Sequence, residues 1–398
     1  MKKVLVIGGG YGGLRAIESL AKYKDIDITL IDKNPYHYLQ TESYGYIAGR
    51  FELHDIAVDL DNWCHGFKGS VNFIHGNASD VNFEEKRVSV NEKTLSYDYL
   101  IIATGAKTNF FSFIEGLREN SYGVKSLQRA HNFRIEFENL IYTKLQNEHG
   151  NNDGELNIAV GGAGLSGVEV AAEMAHVLQT YSKTIGDTAK EINIYLIDAS
   201  ETILPEMGKY TISKTKKRLE KLGVKILTGA FINNVDESYI HFKNGEKLEY
   251  RFMIFTGGIK AAELNNTIEN EKNGIGQFIA TSELNIQGHK NVFAIGDCVE
   301  IKDSDDNVLP PTAQVAEKSA EYVAKTIRER IDGVPSDSFE ANVSGMFIAL
   351  GGKYAVGEIF GYIKVKGYTA YLLKKAITHA YYLGLRLRIN TGFKNRIK

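Results

Sequence analysis

The sequence predicts an α/β protein made of two doubly wound units of parallel strands and helices, followed by a smaller C-terminal module. Three observations predict it. A strand, a glycine-rich turn and a helix occur in that order twice, in VLVIGGGYGGLRA and again in IAVGGAGLSGVEVA. Each is followed by a second strand that ends in an acid, IDITLID at Asp32 and INIYLID at Asp198. Finally, residues 361–398 carry nine Lys and Arg and no Asp or Glu.

Taken in chain order, Val4 to Ile7 is a short apolar run of the kind found in buried parallel strands. Gly8, Gly10 and Gly13 follow in G-x-G-x-x-G register, and helical spacing begins at Leu14. This order aims backbone N–H groups and the positive end of a helix dipole at a pyrophosphate. Gly8 permits the tight turn, Gly10 admits the phosphate, and Gly13 lets helix and strand pack. Asp32, at the end of the next strand, can accept hydrogen bonds from a ribose diol. Tyr97 to Gly105 is another strand ending in a Gly turn, and 146–154 reads as an exposed loop. The second cradle places Gly162, Gly164 and Gly167 after the strand from Asn157 to Gly161. Asp198 closes its second strand, which favours a free 2′-hydroxyl and hence NADH over NADPH, since no Arg lies immediately beyond it. The runs ending at Gly257-Gly258 and at Gly296-Asp297 have the same strand-to-glycine form. The order implies an interrupted unit, residues 1–115 and 260–335, enclosing a second unit at 116–259. A third module spans 336–398. Two dinucleotide cradles in one chain suit electron transfer from a nicotinamide to a flavin.

Composition narrows the class. A chain of 398 residues, 43% hydrophobic and with a net charge of -2, can build two domains and an appendage. Cys64 and Cys298 are far apart and form no C-x-x-C, which suits a reducing compartment and removes redox-disulfide chemistry. The apolar start is too short and too glycine-rich for a signal peptide, and no run of about 18 apolar residues predicts a membrane span. The ten histidines show no ligand spacing, so no metal is expected. No reader motif points to nucleic acid.

The motifs GGGYGGLRA, LIDKNPYHYLQT, LIIATGA, GGAGLSGVEVAAEM, IGDC and LPPTAQVAEKSA carry a family resemblance. The chain resembles the two-dinucleotide-binding-domain flavoproteins, with two Rossmann-like domains of the FAD/NAD(P)-binding, glutathione-reductase-like type. Within them it looks most like the type II NADH:quinone oxidoreductases, the single-subunit, non-pumping respiratory NADH dehydrogenases. The resemblance implies non-covalent FAD, with NADH as donor and a quinone as acceptor. It puts Gly8, Gly10, Tyr11, Gly12 and Gly13 at the FAD pyrophosphate, Asp32 and Lys33 at its ribose, and Ala78 at its adenine. Thr104, Gly105, Gly257, Gly258, Gly296, Asp297 and Ala313 complete the cofactor contacts, with Asp297 on the ribityl chain or flavin phosphate. An Asp in that position can also be a helix N-cap. Glu169 would face the nicotinamide and flavin edge, or else only complement the helix dipole. Gln314 would lie near the quinone headgroup. Lys318 stands where the family commonly has a second Gln, and it could stabilise a developing quinol oxyanion.

The tail has helical spacing between Tyr368 and Leu383. Leu372, Leu373, Ala376, Ile377, Ala380 and Leu383 form one face, and Lys374, Lys375, Thr378 and His379 lie opposite. The expectation is a membrane-associating helix held on an anionic surface through residues 361–398, at the cytoplasmic face of the cell membrane. A core or dimer-forming helix is the other reading. The alternatives for the whole chain are a sulfide:quinone oxidoreductase, a soluble NADH-dependent ferredoxin or rubredoxin reductase, and a flavoprotein redox sensor.

Overall fold

In the computed structural model, the structure describes residues 1–146, 156–185, 192–303, 306–341 and 344–391. Most of the loop expected over 146–154, and the basic residues Lys394, Arg396 and Lys398, lie outside these.

The elements that position the site begin with β1 (Lys2–Ile7), α1 (Tyr11–Leu20), β2 (Ile26–Asp32), β3 (Val71–His75) and β4 (Tyr99–Ile102). Next come β5 (Tyr122–Gly123), α2 (Leu127–Gln146), β6 (Leu156–Gly161), α3 (Leu165–Ile185), β7 (Ile192–Ile197), β8 (Lys225–Leu227) and β9 (Phe252–Phe255). The chain returns through β10 (Val292–Ala294) and α4 (Ala313–Asp332), then β11 (Gly345–Ala349), β12 (Ala355–Ile359), β13 (Ile363–Gly367) and α5 (Tyr368–Thr391).

The two five-stranded sheets are parallel throughout and have the same design. The first runs β10-β4-β1-β2-β3 and the second β5-β9-β6-β7-β8. In each, the glycine-loop strand lies at the centre. Its helix packs back over the sheet, so the strand is buried from both sides; Val4, Val6, Ile158 and Val160 are fully covered. β10 joins β4 only after the whole second sheet has been made. The return path then brings α4 alongside α1. A Cβ on Gly12 would sit 3.2 Å from Ala316 O and from Ile295 Cδ1, so glycine lets these helices approach.

β11, β12 and β13 form an antiparallel sheet, and α5 packs against it and against the short helix Leu60–His65. The helix expected in the tail is present, and its apolar face of Leu372, Leu373, Ala376, Ile377, Ala380 and Leu383 is exposed, but Lys374, Lys375 and Thr378, expected on an outward basic face, turn inward onto carboxylates. The cause lies in the body of the protein. Glu42 and Glu169 are buried there, and a buried carboxylate is costly unless a cation or donor meets it. Among the described residues, no helix is long and apolar enough to cross a membrane.

Candidate active site

The two cradles share one design. Gly8 has φ +112°, and a Cβ there would lie 2.2 Å from Ala103 O. Gly162 has φ +98°, and a Cβ there would lie 2.4 Å from Gly257 Cα. Gly13 and Gly167 each press so closely on the first glycine of the loop that a Cβ would come 1.8 Å from its carbonyl oxygen. Only glycine fits these four positions. Gly10 and Gly164 differ: a Cβ there would meet nothing within 4 Å. That open space faces helix starts with no side-chain cap on α1 and no first-turn acid on α1 or α3. Unclaimed N–H groups beside open space are what a pyrophosphate requires, so the residues fit dinucleotides in both loops.

The acids at the strand ends are anchored in the same way. Asp32 accepts from the N–H of Gly9 at 2.6 Å and of Asn34 at 2.7 Å. Asp198 accepts from Ala163 N at 2.5 Å and Ser200 N at 2.7 Å. Burial pushes the Asp32 carboxyl above its ordinary range, and these two N–H bonds oppose the shift. Each carboxylate keeps lone pairs for a ribose diol.

Between the cradles, Asp297 is held by Lys125, whose Nζ lies 3.0 Å from its Oδ2. Gln277 donates to the Asp297 carbonyl at 3.0 Å. Thr104 donates to Asn265 at 3.1 Å, and the buried Asn265 amide in turn donates to the Cys298 and Gly276 carbonyls. Gly105 and Gly296 both have positive φ, +66° and +68°. A cavity of about 240 Å³ opens beside Gly296 and Asp297, walled by Pro310, Pro311 and Val315. Lys125, Asn265 and Gln277 carry no motif, and their role comes from contacts that the chain makes at long range.

α4 starts at Ala313 with Thr312 as its cap, the Thr312 hydroxyl accepting from Val315 N. Gln314 is half-buried, and its Oε1 is buried without a hydrogen-bond partner. An orphaned amide oxygen there fits a site that receives a ligand. Lys318, one turn later, is exposed and pairs with Glu321 at 3.2 Å. Ala78 is buried at the start of the strand Ala78–Asn82, Lys33 is exposed, and Gly258 abuts Phe111.

Glu169, on α3, is held by the C-terminal module. Its Oε1 accepts from Lys374 Nζ and from Ala349 N, both at 2.8 Å. Burial pushes the Glu169 carboxyl up. Burial also works against the Lys374 charge, but Glu169 and Glu42 outweigh it and hold the ammonium protonated. Glu42 is 3% exposed and accepts from Lys375 at 2.9 Å and Thr378 at 3.2 Å. Glu173 pairs with Arg50 at 2.9 Å, its Oε2 is buried without a partner, and burial pushes its carboxyl up as well. The sequence gives Glu169 a neighbour in the cofactor only; its link to α5 joins positions more than 200 residues apart. Cys64 and Cys298 are both buried, and burial pushes their thiols up to about 12 and about 11. Among the described residues, no group of three or more His, Cys, Asp or Glu could hold a metal.

Comparison with known proteins bears on the fold and the family. The model of the pyridine nucleotide-disulphide oxidoreductase family matches residues 2–320. The type II NADH:quinone oxidoreductase of Staphylococcus epidermidis is 30% identical over 391 residues, covering 96% of this chain and 95% of that protein. The structure of NDH2 from Plasmodium falciparum in complex with NADH has a TM-score of 0.85 at 22% identity, covering 98% of this chain and 97% of that one. The sulfide:quinone oxidoreductase from Aquifex aeolicus has a TM-score of 0.82 at 20% identity, covering 100% of this chain and 94% of that one, so the fold alone does not choose the donor. The family match and the near-complete coverage, taken with two duplicated cradles that fit dinucleotides, identify the chain as a member of the pyridine nucleotide-disulphide oxidoreductase family, of the type II NADH:quinone oxidoreductase kind.

Proposed function

We propose that the chain is an FAD-dependent NADH:quinone oxidoreductase, a non-pumping respiratory NADH dehydrogenase that works peripherally at the cytoplasmic face of the membrane. The observation that carries this is the pair of matching cradles, with Asp32 and Asp198 anchored alike, in a chain related along almost its whole length to such an enzyme. Residues 1–115 and 260–335 hold FAD, 116–259 hold NADH, and 336–398 meet the membrane. FAD, when bound, accepts hydride from the nicotinamide and passes the electron pair to the quinone.

The chain supplies binding, orientation and protons. Gly10 and Gly164 admit the two pyrophosphates, and Asp32 and Asp198 accept from the riboses. Asp198 has a carboxylate where NADPH would carry a phosphate, so NADH is preferred. Asp297 accepts from the ribityl chain, with Lys125 offsetting its charge. Gln314 offers an amide to the quinone carbonyl, and Lys318 stands one turn away. Glu169 and Lys374 hold a proton at a buried pair beside the start of α3. The exposed apolar face of α5 meets lipid, which brings a lipid-soluble acceptor to the same side. A sulfide donor gains nothing from Cys64 and Cys298, whose thiols are buried and protonated.

Stopped-flow mixing with NADH, then with a long-tailed quinone, tests this reading. The yellow protein should bleach with NADH and recover its colour with quinone at the rate of turnover. Bleaching that quinone cannot reverse would move the chain to the sensor or soluble-reductase reading.

A further inference from the structure

The two cradles differ at one peptide. In both loops the N–H after the first glycine holds the strand-end acid: Gly9 N holds Asp32, and Ala163 N holds Asp198. The carbonyl of that same residue is held differently. Ala163 O accepts from the backbone N–H of Leu204 at 2.9 Å, an ordinary loop contact inside its own unit. Gly9 O instead accepts from a side chain, His37 Nδ1, at 2.8 Å. The other ring nitrogen, Nε2, lies 3.1 Å from the Tyr381 hydroxyl, on α5.

The protons in this chain follow from chemistry. A carbonyl can only accept, so Nδ1 carries the hydrogen. Burial pushes His37 down to about 4, so the ring is neutral and Nε2 is left to accept from the Tyr381 hydroxyl. Gly9 and His37 are buried, His37 at 1% exposure, Tyr381 is half-buried, and Tyr11 packs edge-on to His37 and against Tyr381, with centroids 5.0 Å away in each case. Tyr11 is itself fixed by Thr41 at 2.8 Å. The peptide between Gly9 and Gly10 is planar and trans, so its carbonyl and its N–H point in opposite directions. A donor on the Gly9 carbonyl therefore aims the Gly10 N–H away from His37. It also polarises that N–H, because hydrogen bonds in series strengthen one another. Gly10 is the residue beside the open space of the first cradle.

We propose that Tyr381 and His37 are positioning residues for the flavin: together they orient and polarise the Gly9–Gly10 peptide toward the FAD pyrophosphate, so this relay from the C-terminal helix sets the affinity of the first cradle and leaves that of the second unchanged. This rests on the reading that the first loop holds FAD and the second NADH.

The test uses the FAD-loaded full-length protein and Tyr381→Phe, which keeps the ring and its packing and removes one hydroxyl. FAD release, followed by its fluorescence, should become about five- to tenfold faster, the effect of one hydrogen bond. The ³¹P resonances of bound FAD should shift, while those of NAD⁺ bound at the second cradle stay in place with unchanged affinity. In a His37→Ala background, Tyr381→Phe should add nothing further. Unchanged FAD release and ³¹P shifts would overturn the relay. So would equal losses for FAD and NAD⁺, which would show general loosening, or full additivity with His37→Ala. If His37→Ala does not fold, the single Tyr381→Phe variant still decides. A parent protein that binds no flavin would instead overturn the functional reading, and the relay's cofactor with it.

Discussion

At the scale of single residues, the glycines and strand-end acids were legible because each belongs to a strand–turn–helix–strand pattern that can be read along the chain. Gly13 and Gly167 are demanded by contacts inside their own loops, whereas Gly8 and Gly162 are demanded by their positive φ and by distant backbone at Ala103 and Gly257. Glu169 stood out in the sequence as an acid near the second glycine loop, but not as half of an ion pair, because Lys374 reaches it from the far end of the chain. That pair makes a prediction. Glu169→Gln keeps an acceptor for Ala349 N and removes the charge that faces Lys374. NADH oxidation should slow about 10²-fold, the usual size of a lost proton-transfer group, while the flavin stays bound. Turnover at the parent rate would leave Glu169 as a structural acid. His37 makes another. Its pKa falls from an ordinary 6.5 to about 4, so between those values the unfolded chain binds a proton that the native ring refuses. Stability from this residue is therefore complete above pH 6.5 and declines as pH falls toward 4, by about 3 kcal/mol in all. Its ring neighbours, Tyr11 and Tyr381, are phenols that burial pushes upward, so neither titrates in that window. In His37→Asn an amide nitrogen can stand in for Nδ1 and does not titrate there. The stability difference between parent and variant, from urea unfolding, should shrink steeply over that range; a flat difference would mean that His37 is charged in the native protein.

At the scale of elements, the amphipathic pattern of α5 gave its existence and an apolar stripe for a membrane or a core, but not the ion pairs that turn its lysines inward. A hydrophobic stripe normally faces the core. Here the body offers two buried carboxylates, Glu42 and Glu169, and the basic face of α5 answers them. Arg388 turns in as well, over the Phe67 ring at 3.7 Å and with Nε 3.7 Å from Glu18. Gly66 allows this, since a Cβ there would come 2.6 Å from Arg388 Cγ. Removing residues 368–398 uncovers Glu42, Glu169, Tyr11 and His37, and breaks every contact that α5 makes to the flavin loop. Loss of a cation from a buried carboxylate costs about 3–5 kcal/mol, and two such pairs are lost. The truncated protein should therefore be purified with little flavin and a lowered melting temperature, and should reduce ferricyanide poorly. A truncation that keeps its yellow colour and full ferricyanide activity would show the helix to be a detachable anchor.

At the scale of the whole molecule, the inward turn of the α5 lysines bears on the membrane attachment proposed above. Counted from the sequence, the tail carries nine positive charges on a chain of net charge -2, and each such charge near an anionic surface contributes roughly 1 kcal/mol. Three of them, Lys374, Lys375 and Arg388, are committed inside the protein. The outward surface consists instead of Leu372, Leu373, Ile377 and Leu383 along α5, together with Phe360, Tyr362 and Tyr368 at its near end. Exposed apolar and aromatic side chains, with Lys364, Lys366 and Arg386 exposed on the same module, suit insertion of a face more than attraction of a charge. Screening discriminates the two, because salt shortens the reach of exposed charges and leaves apolar burial intact. Flotation with liposomes should therefore survive 0.5 M salt (about a 4 Å screening length) and should persist on zwitterionic lipid, with anionic lipid adding a modest increment. Leu372→Ser with Ile377→Ser, both exposed and neither touching a carboxylate pair, should detach the protein while leaving flavin content and ferricyanide reduction unchanged. The ratio of long-tailed quinone activity to ferricyanide activity should then fall about tenfold or more, since each buried leucine-sized side chain contributes about 1.5–3 kcal/mol. If salt alone releases the protein and the double serine variant still floats, the basic rim and not the apolar face is the anchor, and the route of the quinone must be sought elsewhere on the surface.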